Sequence, residues 1–269
     1  MASWYVWSGA AGAGTGADWA NAFTTLGAAI TAGAAGDTYY IAHDHAQTQA
    51  SALTITHKGT AASPDRVLCV DRAGSVPPVA ADLRATATIT TTGANGITLA
   101  VGGVAYVEGI IFNCGTGAST ASLTVSNIST YRNCAFNLVN TAAGSQISSA
   151  SNVGALTWFY DCTFSFGATG QTIVPMGGFR WIGPAGSVGV TGATIPTNLF
   201  NMAGGQMSDV EISGVDLSAS GSGKTLFLAT NRFKGARIVN CKLGSAVTVS
   251  GTHTAISTLV DVEGCHSTT

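Results

Sequence analysis

The chain has 269 residues, of which only 9% are charged, and its formal net charge is −2. It therefore offers no basic surface for nucleic acid, and no apolar stretch is long enough to span a membrane. With 46% hydrophobic residues and 35 glycines, the composition is typical of a folded chain rich in small residues, which we interpret as one domain over residues 1–269.

The first 36 residues are predicted to form a strand and a capping helix. Asp18 is a candidate N-cap, and Gly33 or Gly36 should end the helix. The apolar residues of the predicted helix are spaced as one stripe: Trp19, Phe23, Leu26 and Ile30. Residues 37–269 should then form stacked coils, beginning with the strand from Asp37 to Ala42. The first residues do not resemble a secretion signal, so we expect synthesis in a cytoplasm.

Two glycine-rich segments resemble phosphate-binding loops. Gly12–Gly16 precedes the predicted helix but lacks the spacing of a dinucleotide fold, and is interpreted as a flexible connection. Ser218–Thr225 contains Gly-Lys-Thr, but has Ser where the phosphate-loop motif needs Gly, and a strand follows it instead of a helix. We interpret that segment as a turn.

Three histidines lie close together in the sequence. His43 and His45 flank Asp44 and could share one strand face, and His57 is the nearest further ligand. A metal site needs three or four ligands. The polar edge of a loop is the favoured interpretation, and a metal or catalytic site is the alternative.

A short motif recurs through the last 160 residues and dominates the sequence. Its third position falls at steps of 24, 28, 22, 31, 26 and 24 residues, and is occupied by residues that accept a left-handed backbone: Gly109, Asn133, Asp161, Gly183, Gly214, Asn240 and Gly264. Such a period is typical of stacked repeats. Further strands are predicted at Ile97–Val101, Leu123–Val125 and Leu226–Leu228. The pattern predicts an all-β, right-handed parallel β-helix with about 26 residues, three strands and three turns per coil.

The residue after each bend should point inward, together with the residue two further on. The residues directly after the bends are predicted to form one buried column without disulfides: Ile110, Cys134, Cys162, Val215, Cys241 and Cys265. Pro184 holds the same position in the fourth copy. Cysteine replaces Ile and Val there, as expected of a small buried side chain. There is no CxxC pair, and we predict neither a metal nor a cofactor.

Charged residues of alternating sign occupy one position of the repeat, four residues before the inward position: Arg180, Glu211, Arg237 and Asp261. Glu108 and Arg132 form a similar pair. This alternation predicts a salt-bridge ladder outside the solenoid, not a pair of catalytic carboxylates. We accordingly predict no catalytic residue.

The chain resembles the pectin-lyase-like parallel β-helix superfamily. The resemblance lies in the coils with the motif Asn/Asp/Gly-Cys-x-Phe and in the segments Gly14–Trp19 and Gly36–Ala42. That superfamily includes pectate lyases and polygalacturonases. The Asn-Thr-Asp, Gly-His-Gly and Arg-Ile-Lys signatures of polygalacturonases have no counterpart here, nor has the acidic calcium cluster of the lyases. Small, acid-poor chains of this type are similar to bacteriophage structural proteins.

The resemblance implies a non-enzymatic virion protein, a capsid decoration or cement protein made in the host cytoplasm. We expect a homotrimer that contacts the major capsid protein or other virion proteins and binds neither nucleic acid nor membrane. The last coil, near Cys265, has no cap of its own and should be covered by a partner. The alternative is a tailspike-like domain that binds or depolymerises polysaccharide. A secreted adhesin is a third hypothesis, which the missing signal disfavours.

Overall fold

The computed structural model describes residues 1–99, 102–126, 128–149, 155–184, 186, 188–202, 208–228, 233–250 and 260–267. These residues form an all-β parallel solenoid of about 8 turns of roughly 26 residues, with one α-helix. The predicted fold class is confirmed.

The elements follow in chain order: β1 (Ser3–Val6), α1 (Leu26–Ala32), β2 (Thr38–Ala42), β3 (Ala46–Gln49), β4 (Leu53–Thr54), β5 (Asp65–Val70), a 3-10 turn (Ala80–Asp82), β6 (Ala87–Thr91), β7 (Ile97–Leu99), β8 (Ala105–Glu108), β9 (Ile110–Cys114), β10 (Leu123–Val125), β11 (Ser129–Arg132), β12 (Ala135–Leu138), β13 (Gln146–Ser149), β14 (Leu156–Tyr160), β15 (Thr163–Ser165), β16 (Thr172–Pro175), β17 (Gly178–Ile182), β18 (Val190–Thr191), β19 (Asn198–Asn201), β20 (Ser208–Ser213), β21 (Asp216–Leu217), β22 (Thr225–Leu228), β23 (Phe233–Val239), β24 (Lys242–Leu243), β25 (Thr248–Ser250), β26 (Val260–Glu263) and β27 (His266–Ser267).

Successive strands of each coil join three sheets in turn. Sheet 1 has ten strands (β1, β2, β5, β8, β11, β14, β17, β20, β23, β26), sheet 2 has six (β3, β6, β9, β12, β15, β18), and sheet 3 has eight (β4, β7, β10, β13, β16, β19, β22, β25). In the last coils a small sheet of β21, β24 and β27 takes the place of sheet 2. Neighbouring strands pair in parallel, so equivalent residues of successive coils stack about 4.8 Å apart.

Inward side chains of the three sheets form the core. Phe112, Phe136 and Phe164 stack along sheet 2, with ring centroids 5.5 and 5.4 Å apart. Tyr131 and Phe159, from sheet 1, meet Phe136 edge-on at 5.2 and 5.3 Å. All five side chains are buried. The alternation of one inward and one outward residue along each strand thus builds a continuous aromatic column.

Six of the seven predicted bends have the expected positive φ, including 49° at Asn133 and 55° at Asp161. The fourth is different. Gly183 is not among the positive-φ residues, and the positive φ of that coil falls at Gly186. The chain takes a longer path here before β18, so Pro184 is exposed instead of filling the buried column. The prediction for Pro184 was wrong because a loop replaces the sharp bend.

The helix is shorter than its apolar stripe predicted. Thr25, not Asp18, is the N-cap: its hydroxyl accepts a hydrogen bond from the N–H of Ala28 at 3.3 Å. Asp18 accepts from the N–H of Asn21 at 2.7 Å in a turn. Residues 16–23 form bends and a turn beside β1, and both ends of this segment are hydrogen-bonded to the strand: the N–H of Tyr5 donates to the carbonyl of Gly16 at 3.0 Å, and the N–H of Phe23 donates to the carbonyl of Tyr5 at 2.9 Å. This pairing covers the outer edge of β1 and excludes a helix there.

The helix ends at Gly33, as predicted. The ammonium group of Lys58 donates to the carbonyls of Thr31 and Gly33 at 2.7 and 2.6 Å. A cation here satisfies terminal carbonyls that have no helical partner. The helix is therefore fixed to the turn that precedes sheet 1 in the next coil.

Candidate binding face on sheet 1

The outer face of sheet 1 carries eight charged residues and four polar aromatic residues in two stacked registers. Two registers of stacked residues form it: Arg66, Tyr106, Thr130, Trp158, Arg180, Glu211, Arg237 and Asp261 in one, and Tyr40, Leu68, Glu108, Arg132, Tyr160, Ile182, Ser213, Val239 and Glu263 in the other. By contrast, the strands of sheets 2 and 3 described by the structure contain no charged residue and no Trp or Tyr. Sheet 1 thus differs in chemistry from sheets 2 and 3, and the small sheet that replaces sheet 2 in the last coils carries an ion pair, between Asp216 and Lys242 at 3.1 Å.

Two aromatic rings are parallel to each other in the middle of this face. Trp158 and Tyr160 are half-buried, and their rings are stacked 5.6 Å apart with an interplanar angle of 3°. Nearer the N-terminal end, the guanidinium of Arg66 lies 5.9 Å from the ring centre of Tyr106. Flat rings beside hydrogen-bonding groups can bind molecules that are apolar on one side and polar at the edge.

The predicted charge ladder is present. Arg180 lies 3.3 Å from the carboxylate of Glu211, and Arg237 lies 3.7 Å from that of Asp261. Two carboxylates that the sequence pattern missed complete it: Asp209 contacts Arg180 and Glu263 contacts Arg237, each at 2.7 Å. Both lie two residues from a ladder position, on the same outer face.

Glu108 and Arg132 occupy paired positions on neighbouring strands, as predicted, but their partners are others. Glu108 is buried and accepts a hydrogen bond from the hydroxyl of Tyr106 at 2.7 Å. Burial, together with this carboxylate, raises the pKa of Tyr106 to about 12, so that the phenol keeps its proton near neutral pH. Arg132 lies 3.7 Å from the carboxylate of Asp161.

Each of the 13 carboxylates of the chain has a hydrogen bond or an ion pair within the protein. Six accept hydrogen bonds from backbone N–H groups or from a hydroxyl: Asp18, Asp37, Asp65, Asp82, Glu108 and Asp216. The other seven contact arginine: Asp44, Asp71, Asp161, Asp209, Glu211, Asp261 and Glu263. All thus have structural partners.

The three histidines do not share a strand face. His43 lies in the turn between β2 and β3, with Nδ1 3.6 Å from Asp71. His45 is buried, contrary to the loop-edge interpretation. Its Nδ1 accepts from the N–H of Ser8 at 2.9 Å, and burial lowers its pKa to about 4. His57 is also buried, with Nδ1 3.4 Å from Asp65. Among the described residues, no group of three possible metal ligands is present.

The buried column after the bends is confirmed, and its cysteines are free thiols. Cys265, in the last described coil, is half-exposed. The thiols also donate hydrogen bonds, a role that the pattern did not reveal. Cys162 donates to the carbonyls of Tyr160 at 3.2 Å and Tyr131 at 3.5 Å. The thiols of Cys134, Cys241 and Cys265 likewise donate to the carbonyl two residues earlier and to a carbonyl of the preceding coil. Burial raises the pKa of Cys162 well above its usual value and that of Cys241 to about 11.

The two glycine-rich segments have structural contacts. Ser218–Thr225 connects β21 to β22, as the turn interpretation predicted, and Lys224 donates to the carbonyl of Ile195 at 3.0 Å. The Gly12–Gly16 segment is held by backbone hydrogen bonds from Gly12 to Ala20 and from Gly16 to Asn21, at 3.1 and 2.7 Å. It connects β1 to the turn that lies beside it.

A cavity of about 260 Å³ lies where loop 71–84 crosses the outer face of sheet 1. Tyr40, Leu68 and Arg66 contribute from the sheet, and Pro78 and Leu83 from the loop. A second, more open depression beside it is lined by Pro64, Arg66 and Tyr106. The repeat pattern of the sequence did not predict this cavity.

Comparison of the chain with protein-family models, with curated proteins and with solved structures finds no match. No helix of the described residues is long and apolar enough to cross a membrane. The class that the architecture defines is therefore a parallel β-solenoid with one charged, aromatic face.

Proposed function

We propose that the chain is a non-enzymatic structural protein of a bacteriophage virion, a capsid decoration or cement protein of the pectin-lyase-like β-helix type. It is made in the host cytoplasm, assembles as a homotrimer and binds the major capsid protein or another virion protein. The observation that carries this proposal is the uncharged outer face of sheet 2.

That face is regular and held together by its own side chains. Asn137 donates to the side-chain oxygen of Asn113 at 2.9 Å and accepts from the hydroxyl of Ser165 at 2.7 Å. Asn113 in turn donates to the hydroxyl of Thr90 at 3.3 Å. The neighbouring outward positions are small or apolar and half-exposed, such as Ile111, Ala135 and Thr163. A face of this kind needs little reorganisation on contact with another protein.

An uncharged face favours contact between subunits because no ion must lose its hydration when the face is covered. Its association should also be insensitive to salt. The engagement of all 13 carboxylates by partners within the chain supports a structural role further. A hydrolase needs two carboxylates that are free to act on a substrate.

Light scattering coupled to size-exclusion chromatography, in dilute and in high-salt buffer, tests the proposal. Thr163→Arg places a charge on sheet 2, and Thr130→Arg places the same charge on sheet 1 as a matched control; both threonines are half-exposed. We expect a salt-resistant trimer for the wild type and for Thr130→Arg, and a monomer for Thr163→Arg. A wild-type monomer in both buffers that also fails to bind emptied capsids of its source particle would refute the proposal.

A second candidate function is polysaccharide binding by a tailspike-like domain. It is favoured by the stacked, half-buried rings of Trp158 and Tyr160 on the outer face of sheet 1, since sugar rings can stack on aromatic faces. The test is retention on immobilised surface polysaccharide. Trp158→Ala should abolish retention, and Trp7→Ala, which removes a ring next to Arg72 instead, should not. Shortening of the polymer would indicate depolymerisation and contradict the non-enzymatic proposal.

A further inference from the structure

The cavity between loop 71–84 and sheet 1 has fixed walls. At the base of the loop, Arg84 forms an ion pair with Asp71 at 3.0 Å. Within the loop, the carboxylate of Asp82 accepts from the N–H groups of Ser75 and Val79 at 3.1 and 2.9 Å. These contacts fix the conformation of the loop, and the cavity is already formed without a ligand, which reduces the ordering cost of binding.

The loop is also fixed from its outer side. Arg72 contacts the carboxylate of Asp44 at 2.9 Å, and its guanidinium lies 4.2 Å from the ring centre of Trp7. This cation–π contact joins the loop to the N-terminal segment. The wall therefore depends on two separate parts of the chain, and we expect it to move little.

Two groups of opposite charge line the cavity. Arg66 is exposed, and among the described residues it is the arginine without an ion pair to a carboxylate. Glu108 is buried and accepts one hydrogen bond, from Tyr106. Leu68 pairs with Glu108 and Arg66 with Tyr106, so Arg66 and Glu108 are diagonal neighbours, with Cα atoms about 7 to 8 Å apart.

Both residues line the same cavity, which has room for a small ligand. Apolar side chains also line the cavity, with Leu68 and Val70 from the sheet and Pro78 from the loop. Because Glu108 is buried, its charge is unfavourable without a charged partner, and a ligand cation that pairs with it is bound strongly.

We propose that this cavity binds a small zwitterion, an α-amino acid with a compact apolar side chain. The ligand's carboxylate pairs with the guanidinium of Arg66, its ammonium group pairs with the carboxylate of Glu108, and its side chain packs against Leu68, Pro78 and Leu83. The volume of about 260 Å³ lies just below the range of about 300–1,000 Å³ typical of pockets for larger ligands. This site is independent of the proposed role of sheet 2.

Calorimetric titration with L-leucine tests the proposal on the intact chain, beside two analogues that each lack one charge, 4-methylpentanoate and isopentylamine. We expect saturable binding of leucine with one site per chain, and at least about tenfold weaker binding of both analogues, because each loses one charge-assisted contact. Equal affinity for leucine and for either analogue would overturn the assignment of the two charges.

Three variants complete the test. Arg66→Gln and Glu108→Gln should each weaken leucine binding at least about tenfold. Arg237→Gln, which removes an exposed arginine at the far end of the same sheet that is paired with Glu263, should leave it unchanged. The analogue titrations use the wild type, so they decide the question even if Glu108→Gln fails to fold. An absence of wild-type binding up to about 10 mM, well above a Kd of about 1 mM, or an unchanged affinity in Arg66→Gln, would refute the site.

Discussion

Removing the ring of Phe136 should destabilise the solenoid more than any surface change. The side chain is fully buried and contacts four other rings: Phe112 and Phe164 in the neighbouring coils, and Tyr131 and Phe159 across the core. A buried Phe→Ala change costs about 3 to 5 kcal/mol, and each aromatic pair contributes about 0.5 to 1.5 kcal/mol beyond burial. We therefore expect a loss near the upper end, about 5 kcal/mol.

Equilibrium unfolding in urea, followed by circular dichroism, measures this loss. The control is Trp158→Ala, which removes a half-buried ring with one stacked partner from the outer face, and should cost about 1 kcal/mol. Hydrogen exchange should show the largest loss of protection in the coils of Phe112 and Phe164, because each coil of a solenoid contacts only its neighbours. A loss for Phe136→Ala below about 2 kcal/mol, or equal to that for Trp158→Ala, would refute the aromatic column as the main source of stability.

Three further predictions concern the thiols, the charge ladder and pH. Of the six cysteines, Cys265 alone should react quickly with a thiol reagent in native buffer, because it is half-exposed while the others are buried. Burial raises the pKa of Cys162, so a rapid reaction of Cys162 would contradict this prediction. Arg237→Ala should barely change the melting temperature, because Arg237 and its partners are exposed. Arg180→Ala should lower the free energy of unfolding by about 1 to 3 kcal/mol, since the Arg180 side chain is mostly buried with charged partners. Equal effects of the two substitutions would refute the distinction. The pKa of His45 is about 4 in the folded chain and about 6.5 in the unfolded chain. The free energy of unfolding should therefore fall by about 2 to 3 kcal/mol as the pH drops from about 6.5 to about 4. Urea titrations at several pH values measure this fall, and His45→Gln should remove it.

The coil architecture was predictable because its main signal is local. Asn133, Asp161 and Asn240 have the left-handed backbone that their residue type accepts. Once the bends are aligned, alternation along the strands fixes which residues stack. This is why the pairing of Arg180 with Glu211 followed from counting residues alone. A loop replaces the bend at Gly183, so the position of Pro184 in the repeat did not predict its exposure correctly.

The errors arose where contacts distant in sequence decide. The apolar spacing of Trp19 and Phe23 suits a helix, but hydrogen bonds to β1 hold both ends of this segment in a non-helical turn. His45 is buried because the N–H of Ser8, 37 residues earlier, donates to its ring. The cavity needs loop 71–84 to cross residues of three strands. No periodic pattern contains that information, since no comparable loop crosses sheet 1 in the part of the other coils that the structure describes.

The regular stacking also has a consequence for how the chain acquires its structure during synthesis. The strands of sheet 1 pair with strands one coil earlier and one coil later, as Thr130 does with Tyr106 and Trp158. Each new coil can therefore dock as soon as its own residues leave the ribosome, without waiting for distant segments. The edge of β1 is covered first, by residues 16–23, so the growing end is the one that accepts the next strand. The solenoid is suited to folding in one direction, one coil at a time.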